Sequence, residues 1–126
     1  MRHFPDPLDR EVDVADDTFV RAAPAVLRAV LDVEGATEVL WPHLAPFLTV
    51  LRDRGTKGMR WQLSGPLVGE CEVWLEPVAD GTVVHHYVRG RLTGTRPRAR
   101  RWSDAHVRRW KRTVHRVKDV LEDGVR

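Results

Sequence analysis

The sequence predicts an α+β domain: a curved antiparallel sheet of about five strands gripping a long C-terminal helix, in the order β-α-α-β-β-β-β-α. Three observations predict it. Val68–Val78 and Thr82–Leu92 are strand-like stretches joined by Asp80-Gly81, a strong short-range hairpin signal. Met59–Leu63 sets Met59, Trp61 and Leu63 against Arg60 and Gln62, the period of a half-buried strand. Val107, Trp110, Val114, Val117 and Leu121 recur at spacings of 3, 4, 3 and 4, which is one apolar stripe along a helix.

The remaining elements follow in order. Residues 1–10 hold two prolines and read as an irregular lead-in; Val12–Val20 reads as a first strand whose alternation Asp16 and Asp17 interrupt. Pro24 suits a first helical position, and Ala25–Val33 carries Val26, Leu27, Val30 and Leu31 at helical spacing up to Gly35. A second helix over Ala36–Leu44 is limited to its first part by Pro42. Leu48–Arg52 reads as a strand, Asp53–Gly58 as a turn with two glycines, and Gly65-Pro66 as another turn. Thr93–Arg101 reads as a basic loop, Ser103 as the N-cap of the final helix over residues 103–123, and Gly124 as its end.

Pairing arguments assign the faces of the sheet. A two-residue turn at Asp80-Gly81 sets Glu76 opposite His85, Trp74 opposite Tyr87, Glu72 opposite Arg89 and Glu70 opposite Arg91, all outward. A three-residue turn over Gly65–Leu67 sets Arg60 opposite Glu72 and Gln62 opposite Glu70. Met59, Trp61, Leu63, Cys71, Val73, Leu75, His86 and Val88 then face inward, and a one-residue slip would bury charge instead. A single helix cannot cover such a sheet, so the uncovered part is filled by the short helices or left as a pocket.

Composition bounds the rest. At 42% apolar and 31% charged the 126 residues read as one soluble globular domain spanning 1–126, with no apolar run of membrane-spanning length. A lone cysteine, Cys71, excludes an internal disulfide, and together with an acidic N-terminus lacking an apolar stretch it makes the cytoplasm the expected location. Net charge is −2 over residues 1–63 and +5 over 64–126, with most of the excess between Arg89 and Lys118. No nucleotide-binding glycine loop, serine nucleophile motif or metal-ligand spacing occurs. His85 and His86 are adjacent on a strand and point oppositely, and His106 and His115 are too far apart on one helix for one ion. No cofactor is expected.

The segments DTFVRAAPAVLRAVLD (Asp17–Asp32), LWPHL (Leu40–Leu44), RDRGTKGMRW (Arg52–Trp61), GECEVWLEPVADGTVVHHYVRG (Gly69–Gly90) and RRWKRTVHRVKDVLE (Arg108–Glu122), in this order of elements, resemble the START-like (SRPBCC) superfamily. The text is most similar to the small actinobacterial proteins grouped with polyketide cyclases/dehydrases and lipid-transport proteins. The resemblance implies a cavity between sheet and C-terminal helix that takes a small hydrophobic molecule, in a monomer or homodimer. Trp41, Met59, Trp61, Leu63, Cys71, Val73, Leu75, His86, Val88 and Trp110 are the expected ligand-binding residues. Trp41 would gate the mouth or plug the core, and Trp110 must face the sheet and fill space. His86, with a side-chain pKa near neutrality, is the candidate general acid/base should the protein be a cyclase-type enzyme. A further alternative is an RNA- or ribosome-associated role for the cations of Arg96–Arg112 with Trp102 as a stacking residue, although no nucleic-acid motif accompanies them.

Overall fold

A computed structural model of the chain describes residues 9–123. Five antiparallel strands form one open sheet in the order β1-β5-β4-β3-β2. They are β1 (Glu11–Val20), β2 (Leu48–Asp53), β3 (Gly58–Ser64), β4 (Leu67–Val78) and β5 (Gly81–Leu92). Helices α1 (Pro24–Asp32) and α2 (Ala36–Leu40) link β1 to β2, and α3 (Ala99–Asp123) crosses the inner face. Of the expected lead-in, residues 1–8 lie outside the described residues, as does Gly124. No described helix is long and apolar enough to cross a membrane.

Strand β1 keeps its alternation where the two aspartates interrupt it. Val12, Val14, Thr18 and Val20 are buried. Asp16 occupies the same inward row and is tolerated because Trp110 Nε1 donates to it at 2.9 Å and Lys111 Nζ lies 2.9 Å away. As an edge strand, β1 also has main-chain carbonyls that no strand partners. Helix α3 supplies the donors: Lys111 Nζ to the Asp17 carbonyl at 3.2 Å, and Lys118 Nζ to the Phe19 carbonyl at 2.7 Å. Arg89 and Arg91 pair with Asp13 and Glu11 of the same strand. Part of the basic excess thus holds α3 and β5 to an acidic edge.

The β3–β4 register sets Arg60 opposite Glu72 and Gln62 opposite Glu70, as expected. The β4–β5 register differs from expectation by two residues. Val78 faces Gly81, so the turn is Ala79-Asp80, and Glu76, Trp74, Glu72 and Glu70 face Val83, His85, Tyr87 and Arg89. A two-residue slip preserves the faces, so the inward set is unchanged. Gly81 is needed for packing rather than for the turn: a Cβ there would lie 2.4 Å from the Val20 carbonyl oxygen and 2.6 Å from the Phe19 ring. Ala79 instead adopts the positive φ, at 50°. Glycine carries no steric penalty there, so Ala79→Gly is expected to stabilise the protein by about 0.5–1 kcal/mol, read as a higher urea midpoint at unchanged slope.

The final helix begins at Ala99, four residues before the expected cap at Ser103. The Trp102 amide already donates to the Arg98 carbonyl at 3.0 Å, and buried Ala99 anchors the first turn. The basic loop therefore shrinks to residues 93–98. The helix's buried stripe is also rotated from the expected one. Ala99, His106, Trp110 and Val114 are buried, whereas Val107 is only half-buried. Both 106 and 107 lie one turn from Trp110, and burial selects the histidine.

Candidate functional site

Three histidines from three separate elements meet beneath α3. His43 lies in the turn after α2, His86 on the inner face of β5, and His106 on the buried stripe of α3. His86 Nδ1 lies 3.0 Å from the Glu72 carbonyl oxygen, His86 Nε2 2.8 Å from His106 Nε2, and His106 Nδ1 2.7 Å from His43 Nε2. Arg109 Nη1 donates to His43 Nδ1 at 3.1 Å.

The protons in this file follow from its two ends. A carbonyl only accepts, so His86 Nδ1 carries its hydrogen and Nε2 accepts. His106 must then donate from Nε2 and accept at Nδ1, and His43 must donate from Nε2. That leaves His43 Nδ1 as an acceptor, which suits a guanidinium that can only donate. Both ends thus dictate one direction, with every ring neutral. A second proton on any ring would set two N–H groups against each other. Electrostatics agrees: burial lowers the pKa of His86 to about 4, burial and the Arg109 charge lower His43 to about 4, and burial with its neighbours lowers His106 to about 2.

Tryptophans encase the file. Trp41 stacks on His86 with ring centres 5.0 Å apart, meets Trp61 edge-on at 5.3 Å and stacks on Trp110 at 5.9 Å. Trp102 stacks on His106, centres 5.0 Å apart and planes within 7°. Trp41 is therefore a plug, 0% exposed, and its indole N–H has no partner among the described residues.

This block fills the space in which a ligand was expected. The cavity remaining between sheet, α1 and α3 measures about 30 Å³ and is bounded by Leu27, Leu40, Val73, Leu75 and Trp110 among others. That is roughly the room of one water molecule, against several hundred Å³ for a ligand pocket. Met59, Trp61, Leu63, Cys71 and Val88, expected to contact ligand, are buried core residues, as are Trp41, Val73, Leu75 and Trp110. The Cys71 thiol is pushed up in pKa by burial, which leaves it unreactive. His86 faces inward as expected; it is 0% exposed and both ring nitrogens are engaged, by the Glu72 carbonyl and by His106. His85 lies on the outer face between Asp17 and Glu76 and stacks on Trp74.

Open space lies at the surface, in grooves of about 300 Å³ among Arg98, Arg100, Arg101, Asp104 and Arg108, about 500 Å³ beside Arg10, Arg91 and Leu92, and a third at the surface end of the file. His43, Pro97, Arg101, Trp102, Ala105, His106 and Arg109 line a groove of about 240 Å³. The N-terminal turns of α3 form one wall, His43 and Pro97 contribute from two loops, and His106 closes the floor. Sequence reasoning placed Trp102 in a loop and passed over His43 and His106 as site residues. The missed signal was periodic: Ala99, Trp102, His106 and Trp110 recur at spacings of 3, 4 and 4, which continues the helical stripe toward the N-terminus. Nothing comparable marks His43. Among the described residues no group of three or more His, Cys, Asp or Glu is arranged to hold a metal ion.

No family model matches the chain, and no curated protein matches its sequence. Solved structures do match in shape. The solution structure of the Aha1 dimer from Colwellia psychrerythraea is 17% identical, covering 88% of this chain and 96% of that one, with a TM-score of 0.65. DR_A0006 from Deinococcus radiodurans is 18% identical, covering 90% and 98%, with a TM-score of 0.67. At such identity the likeness is one of fold. The chain has a helix-grip-like α+β fold: an open five-stranded antiparallel sheet with a long C-terminal helix against it.

Proposed function

We propose that this protein binds a small, flat, largely apolar organic molecule, and that the ligand sits in the groove at the N-terminal half of α3 rather than between sheet and helix. The observation that carries this reading is the groove: an indole face at Trp102, an imidazole at His43 and space of about 240 Å³ beside an interior whose own cavity is about 30 Å³. The volume suits a one- or two-ring molecule and falls short of a steroid or a lipid chain. The resemblance to the polyketide cyclase/dehydrase and lipid-transport branch supports a ligand of aromatic or polyketide character. Binding is favoured over catalysis because the file of histidines ends at a backbone carbonyl, where a proton has nowhere to go. The Colwellia structure is of a dimer, which is compatible with a homodimer here. The groove is built within one chain and needs no second copy.

Titration with 2-naphthamide and 2-naphthoate, followed by tryptophan fluorescence and amide chemical shifts, tests the reading. At least one probe is expected to saturate with a dissociation constant of about 0.1–1 mM, the range of a ligand this small. Its shifts should centre on Trp102, Ala105 and Arg109 and vanish in Trp102→Leu. Neither probe moving these residues, or shifts centred on Trp61 and Val88, would rule the groove out.

A further inference from the structure

We infer that the ligand of this groove is an organic anion, a flat apolar body bearing a carboxylate. The inference rests on reading the groove as a ligand site and names the class of ligand it takes.

Charge carries the argument. Arg101 and Arg109 both line the groove, and neither has a carboxylate within 4 Å among the described residues. Arg28, Arg54, Arg89, Lys111 and Lys118 are matched by carboxylates, whereas Arg100, Arg108, Arg112 and Arg116 of α3 are, like Arg101 and Arg109, without one among the described residues; what sets the groove pair apart is their place beside Trp102 and the hydrogen bond that fixes Arg109. Arg109 donates once, to His43, so most of its five N–H donors are unused. Its position is determined by that bond, because the direction of the histidine file makes His43 Nδ1 an acceptor. A guanidinium held in place with free donors suits a carboxylate, which it can meet through two parallel hydrogen bonds.

The walls choose the body of the ligand. Trp102 is held by its stacking on His106, which is 2% exposed, so the indole forms a rigid plane beside the two charges. A flat ring can lie against that plane while its carboxylate reaches Arg109 and Arg101. A nucleic-acid backbone fits less well. Asp104 stands among Arg98, Arg100, Arg101 and Arg108 in the adjoining groove and would repel the next phosphate.

The test compares 2-naphthoate with 2-naphthamide, which share a shape and differ in charge. Naphthoate is expected to bind about tenfold more tightly than the amide in low salt. Arg109→Gln keeps a donor for His43 and removes the charge, and Arg101→Gln removes an exposed charge without touching the core. Each should weaken naphthoate about five- to tenfold more than it weakens naphthamide, while Arg100→Gln, outside the groove, should change neither. Equal binding of acid and amide in the groove would overturn the anion inference and leave the groove reading intact; binding of neither would remove both. Loss of naphthoate affinity in Arg100→Gln as large as in Arg109→Gln would overturn a specific carboxylate site in favour of a diffuse field. A single-stranded RNA decamer that displaces naphthoate at lower concentration than naphthamide does would overturn it in favour of a nucleic acid.

Discussion

Lowering the pH from 7.5 to 5.5 is expected to destabilise this protein by about 3 kcal/mol, a large share of a small domain's stability. The origin is the buried histidine file. Burial holds His86 at about 4 and His106 at about 2 in the folded protein, whereas an unfolded histidine takes up its proton near 6.5. The folded state therefore binds fewer protons, so its stability is intact above pH 6.5 and falls as the pH drops from there toward 4. Each of these two rings contributes roughly 1.4 kcal/mol per pH unit in that window. His43, which reaches the groove and is partly solvated, adds a smaller share. Urea denaturation at the two pH values, at constant ionic strength, measures the effect. His106→Leu should flatten the dependence by about one proton whatever it does to stability at pH 7.5. Equal stability at pH 7.5 and 5.5, or ring resonances of His86 and His106 titrating near 6.5, would contradict the neutral file.

Trp41→Ala is expected to cost about 3–5 kcal/mol, the range for removing a large aromatic side chain from a close-packed core. Trp41 is fully buried between Trp61, His86 and Trp110, and its indole N–H has no partner among the described residues, so packing is nearly all that the substitution removes. The variant should also gain what the native chain lacks, an interior hole of indole size. Added indole is then expected to raise its melting temperature while leaving the native protein's unchanged. A loss below about 1 kcal/mol, or indole stabilising both proteins alike, would show that the interior is open to ligands after all.

Several features were legible because they repeat over short distances. Alternation along Met59–Leu63, Val68–Val78 and Thr82–Leu92 identified the strands and their inward faces, and these faces survived an error in the β4–β5 register because side-chain direction has period two. The turn was misplaced because Gly81 was taken as a turn glycine. Its actual constraint, contact with Phe19 and Val20, comes from a strand 61 residues earlier, counted between Val20 and Gly81. The start of α3 was misread for a local reason: Ser103 resembles a cap, and it drew attention from the periodic Ala99, Trp102 and His106 that already pack against the protein.

The site was less legible than the fold. His86 was singled out as the inward histidine, which is where it lies, but its chemistry depends on partners at residues 72 and 106. His43, by contrast, sits in an irregular turn with no periodicity to reveal its direction. By itself, the sequence determined the class of fold, the order of elements and which residues of β3, β4 and β5 are turned from water, because those follow from local periodicity. Only the tertiary structure decided that the grip is closed rather than hollow. That outcome depends on large side chains from four separate elements meeting at one point. The file of histidines built into that packing ends at the surface, in the groove beside Arg101, Trp102 and Arg109.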